Sequence, residues 1–214
     1  MSKSVVAGIA ALLMWTPVAL SQQTLQTMEE DATHVRDWNS FAEACVALHE
    51  KQLAGREVRE EERLGGYVGD AEFYREVSYY DRDSGVLLSR VQWEREQPDR
   101  VHALEVYVHD EQGRVLRDYA AAYLPDGRNA PIQTLINLHA YNGGLHAFRQ
   151  FDASGARIYE FCEGDHGGEP VRLQLFEEDL VGTSGTAERI MASPVYSACF
   201  DGLPAQAGRY LDPH

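Results

Sequence analysis

Two histidines near the middle of this 214-residue chain have the most capacity for chemistry, together with an acid–histidine pair further on. His139 and His146 flank Tyr141-Asn142-Gly143-Gly144, and a turn at those residues would bring two imidazoles together. Asp165 and His166 stand in a second glycine-rich stretch, Gly164-Asp165-His166-Gly167-Gly168. Neutral imidazole and carboxylate suit zinc or copper, so His139, His146, Asp165 and His166 are the candidate metal ligands. Set against that reading, they are ordinary surface or hydrogen-bonded histidines. No cofactor is expected beyond this Zn or Cu option, and no residue is assigned a catalytic role.

Other chemistries are missing their signatures. His49-Glu50-Lys51-Gln52-Leu53 begins like a zinc-protease helix but carries Leu where the second histidine ligand must stand. Gly182-Thr183-Ser184-Gly185 lacks the glycine spacing of a nucleophile elbow. The chain has no P-loop, no dinucleotide fingerprint and no Cys-x-x-Cys. Asp81-Arg82-Asp83-Ser84-Gly85 puts two carboxylates near a bend but lacks the distal bidentate Glu of a calcium loop, so it reads as a turn. The Glu60-Glu61-Glu62 run reads as a solvated face or an edge strand. A ligand groove is a further candidate, lined by Trp93, Tyr107, Tyr123 and Tyr141, against the plainer reading of cross-strand aromatic packing.

These residues sit among elements with a recurring plan. Between Phe73 and Cys162 an alternating apolar run three times ends in Asp, a short polar turn closes on Gly, and a second apolar run follows. The three copies turn at Asp81 to Gly85, Asp110 to Gly113 and Asp152 to Gly155. Asp folds its carboxylate onto backbone N–H groups and Gly accepts positive φ, so three β-hairpins are expected. The turn pattern resembles the hairpins of YD-type repeat proteins, most closely at Val106-Tyr107-Val108-His109-Asp110-Glu111-Gln112-Gly113-Arg114-Val115. The turn glycines are 28 and then 42 residues apart, so there is no fixed period to stack; the resemblance is one of hairpin physics and implies no family.

Ahead of the hairpins, Ser40-Phe41-Ala42-Glu43 fits a capping box. Phe41, Ala44, Cys45 and Leu48 recur at helical spacing, and Gly55 fits the position just past the end, so a helix over Ser40–Ala54 is expected. Pro131 to Tyr141 fits a short helix or a strand. From about residue 177 the pattern decays into Gly, Ser, Thr and Pro, which predicts a loop-rich tail with one helix near Ala187 to Ala192. The fold expected is α+β: one curved antiparallel sheet of six to eight strands with the N-terminal helix packed on one face. A β-sandwich or barrel is the alternative.

Met1 to Ser21 reads as a signal peptide, with Lys3 in a positive start, an apolar run to Leu20 and small residues before Gln22. Residues 22–214 would then form a single domain, periplasmic or secreted, with no membrane insertion after cleavage. Loss of Lys3 leaves 18 basic against 34 acidic residues, a net charge of −16. That excess repels phosphate backbones, so nucleic acid is not an expected partner. In an oxidising compartment two of Cys45, Cys162 and Cys199 are expected to pair, and Cys162–Cys199 would pin the tail to the sheet. The function expected is a non-enzymatic binding or interaction module that presents a sheet surface to a protein or small ligand. The alternative is a periplasmic metal-binding protein or enzyme using the His/Asp cluster.

Overall fold

A computed structural model describes residues 31–124, 129–182 and 185–214. The expected signal peptide, Met1 to Ser21, lies outside the described residues. The first described element is α1, Ala32–Leu53. It starts earlier than the Ser40 capping box suggests, because Asp31 takes the cap and accepts a hydrogen bond from the His34 N–H at 2.7 Å. The apolar stripe runs one turn further back to Trp38, and Ala42 is buried rather than Ala44. Beyond Leu53 the chain turns through Gly55 at φ 74°, as its place in the sequence predicts.

Nine strands follow in one open antiparallel sheet: β1 Val58–Tyr67, β2 Asp70–Asp81, β3 Leu87–Glu94, β4 Val101–His109, β5 Val115–Ala122, β6 Gln133–Asn142, β7 Gly144–Phe151, β8 Arg157–His166 and β9 Glu169–Phe176. Each strand pairs with its neighbour in sequence, in the order β1 to β9, so the first and last strands are edges and the sheet does not close. A barrel or sandwich is thereby ruled out for these strands. The ambiguous stretch after Pro131 is β6, where Gln133 to His139 alternates in burial. The acidic run Glu60-Glu61-Glu62 lies in the edge strand β1, where charge discourages pairing with another chain.

The three Asp–Gly turns share one construction. The Asp110 carboxylate accepts from the N–H groups of Gln112 and Arg114, both at 2.9 Å, and Gly113 takes φ 78°. Asp152 accepts likewise from Ser154 and Ala156 at 2.9 and 3.0 Å, with Gly155 at φ 84°. Asp81 accepts from Asp83 and Ser84 at 3.1 and 2.9 Å. These bonds and the nearby Arg56 hold its carboxyl down to about 2.

Side chains alternate across the sheet. On the first face Val91, Leu104, Val106, Tyr119, Ile136, Leu138 and Phe151 are buried in one cluster with Phe41, Cys45 and Leu48 of α1. A second cluster joins Leu145, Ala147 and Cys162 to Cys199 and Phe200. Those last two belong to the tail, which is more helical than its composition predicts: α2 Glu177–Val181, α3 Gly185–Met191, α4 Pro194–Phe200 and a 3₁₀ turn at Gly208–Leu211. Ser193 caps α4 by accepting from the Tyr196 N–H at 3.1 Å, and Pro at the start of a helix forfeits no internal hydrogen bond.

Three further ties hold this tail down. Cys162 and Cys199 form a disulfide across 37 residues. Asn142 Nδ2 lies within hydrogen-bonding reach of the carbonyls of Ala198, Cys199 and Asp201 at the end of α4. Arg149 and Glu160, 5 % and 0 % exposed, form a buried ion pair. Arg149 also donates to the carbonyls of Leu203 and Pro204, and the Tyr196 hydroxyl donates to Glu160 at 2.7 Å. Cys45 is buried and unpaired, and burial pushes its thiol pKa up, away from reactivity.

Candidate functional site

The second face of the sheet carries the polar and aromatic residues left over by this alternation. On β2 to β4 it is a ladder of ion pairs and hydrogen bonds. Glu76, 1 % exposed, accepts from Arg63 of β1 and from Gln92 of β3, each at 2.7 Å. Burial alone would raise the Glu76 carboxyl, but these donors outweigh it and hold the pKa below the usual range. Arg90 donates to Glu105 at 3.2 Å, and the Tyr107 hydroxyl donates to the same carboxylate.

On β5 to β7 the ladder ends at the histidines. The strand register sets Asp118 beside Asn137 and Asn137 beside Gln150. Gln150 donates to Asn137 at 2.8 Å, and Asn137 donates to Asp118 Oδ2 at 2.6 Å. The other carboxylate oxygen, Oδ1, lies 2.7 Å from Nε2 of His139. An ionised carboxylate only accepts, so Nε2 carries the proton and donates. In the neutral imidazole Nδ1 of His139 is then an acceptor, and it lies 3.0 Å from Nε2 of His146, which in that tautomer donates to it. The result is an oriented chain, Gln150–Asn137–Asp118–His139–His146, running across three strands. The His146 imidazole lies nearly parallel to the Tyr141 ring, with centroids 4.8 Å apart, and the Arg114 guanidinium lies 4.6 Å from the same ring. Burial first, and the neighbouring His139 second, hold the His146 pKa below the ordinary imidazole value.

Beyond His146 the face becomes aromatic. Phe148 contacts Phe161 and Tyr159, and Tyr159 contacts Phe176 on the edge strand, with centroids 5.2 to 5.7 Å apart. Phe148, Tyr159 and Phe161 are half-buried and Phe176 is 49 % exposed.

The structure divides the residues singled out from the sequence. His139 and His146 meet; Asp165 and His166 stand apart from them at the end of β8. Asp165 closes the next hairpin by accepting from the Gly168 N–H at 3.0 Å. His166 lines a cleft with Asn142, Leu145 and Ser197. Among the described residues no group of three or more His, Cys, Asp or Glu side chains is placed to hold a metal ion. The four aromatics separate too. Tyr107 and Tyr141 lie on the second face, while Trp93 packs against the core cluster of the first. Tyr123, two residues beyond the buried Ala121, lines a cleft with Tyr67 and His102. They do not share one groove. Sequence reasoning missed Asp118, Asn137 and Gln150. Of the three only Asn137 carries a local signal, a single polar residue set among apolar neighbours in Leu135-Ile136-Asn137-Leu138.

No protein-family model, no curated protein and no solved structure matches this chain.

Proposed function

We propose that the protein is an exported, non-enzymatic binding module that engages a protein partner through the second face of its sheet. In this reading α1 and the C-terminal segment lie on the first face and leave the second for recognition. The carrying observation is the run of half-buried and exposed aromatics, Phe148, Tyr159, Phe161 and Phe176, on the last three strands. Aromatic side chains give large contact area at low entropy cost and are enriched where proteins meet. The ion pairs on β1 to β4 are already satisfied within the chain, so that half of the face supplies register more than attraction.

Export is supported by the disulfide, which persists in oxidising compartments. No helix among the described residues is long and apolar enough to cross a membrane.

The test is site-specific photo-crosslinking in the host that makes the protein, with a benzophenone amino acid placed at Phe148, Phe161 or, as control, Glu50 on α1. The reading expects one adduct of the same mass from both sheet positions and none from Glu50. Absence of an adduct at Phe148 and Phe161, or equal adducts at all three sites, would contradict it.

A further inference from the structure

We infer that His139 and His146 bind one divalent transition-metal ion, zinc or copper(II), through His139 Nδ1 and His146 Nε2, with Asp118 orienting His139 from behind. The signature is the carboxylate–histidine pair. A metal-ligating histidine characteristically donates its other ring N–H to a carboxylate, which fixes the tautomer and raises the basicity of the ligating nitrogen. Asp118 does this to His139 at 2.7 Å, and Asn137 and Gln150 hold Asp118 in turn. The chain of donors therefore leaves a lone pair on Nδ1, aimed at a second imidazole.

The spacing suits an ion after a small movement. The two nitrogens are 3.0 Å apart; two imidazole nitrogens on one ion, each at about 2.0 Å, sit about 3.3 Å apart at a tetrahedral angle. The ring planes differ by 8° with centroids 5.3 Å apart, so the nitrogens now face one another along the line that a shared proton occupies. An ion enters when one ring swings off that line. His146 is the ring that moves, since Asp118 anchors His139. The proton on His146 Nε2 passes to its own Nδ1, so both ligating nitrogens carry lone pairs and both rings stay neutral. Glu163 stands directly opposite His146 in the β7–β8 register and is exposed, so its carboxylate joins the two nitrogens as a third donor only once the His146 ring has swung. Water or a partner's side chain completes the shell. This inference does not depend on the aromatic docking surface.

The test titrates Zn²⁺ and, separately, Cu²⁺ into the purified chain at pH 7.5. Binding is followed by calorimetry and by the imidazole resonances in NMR. The expected result is one ion per chain, with the His139 and His146 resonances shifting before those of the other six histidines. His139→Ala and His146→Ala should each weaken binding at least hundredfold, and Asp118→Asn by about tenfold to hundredfold with an unchanged far-ultraviolet spectrum. Equal binding by wild type and the alanine variants, resonances of other histidines shifting first, or no saturable binding overturns the inference. The NMR readout on the wild-type chain decides the matter even where a variant fails to fold.

Discussion

At the scale of single residues, the Arg149–Glu160 pair is the most consequential contact outside the histidine chain. Both groups are out of water, and each is satisfied by the other and by the tail. Removing one partner strands a buried charge. Glu160→Ala should therefore cost about 3–5 kcal/mol in urea denaturation. A much smaller loss would show that Arg149 finds water. The histidines make a second prediction. Burial holds His49, His102, His109 and His146 below the ordinary imidazole value. The unfolded chain then binds protons more readily than the native one as pH falls from about 7 through 6.5. Stability should be full above that range and decline on acidification. It should decline again as Glu76 and Asp81, whose native pKa values are depressed, lose their charge below about pH 4. The urea midpoint measured from pH 8 to 3 should fall in these two windows; a flat profile between 7.5 and 5.5 would contradict the first.

At the scale of elements, the hairpins were the most legible part of the chain, because their turns are specified locally by Asp and Gly a few residues apart. The helix was legible in its stripe and its end but not in its start: Ser40 and Glu43 look like a cap, yet Asp31 and Trp38 extend the helix upstream. The tail was hardly legible, since its helices are short and held by distant partners, Asn142, Glu160 and Cys162, that no local window contains. Those ties are testable. Replacing Cys162 and Cys199 by serine should lower stability by about 4 kcal/mol, from the loop entropy of 37 residues, read as a shift in the denaturation midpoint. Within the β7–β8 hairpin, Gly164 has φ 139°, and an added Cβ would stand 2.1 Å from the Gly144 carbonyl oxygen. Gly164→Ala should cost at least about 2 kcal/mol, whereas Gly167→Ala, with open space around it, pays only for its positive φ, about 1 kcal/mol. Equal costs would contradict that difference in crowding.

At the scale of the whole molecule, nine strands in sequence order make one open sheet whose first and last strands are edges. One edge, β1, is guarded by Arg59, Glu60, Glu61, Glu62 and Arg63. Alternation told which residues share a side of each strand, and so predicted a one-sided sheet. It could not tell how the strands lie in register, and register is what assembles Asp118, His139 and His146 from β5, β6 and β7. For the same reason Trp93 and Tyr107 seemed equivalent in sequence and belong to opposite faces. In the proposed function the second face, not the first, is where the protein meets others. Hydroxyl-radical footprinting in the host's own exported fraction, compared with the purified chain, measures this directly. Phe148, Tyr159, Phe161 and Phe176 should be protected in the native setting and reactive once purified, while Trp38 and Phe41 stay protected in both. Identical reactivity of the four aromatics in the two settings would contradict the account.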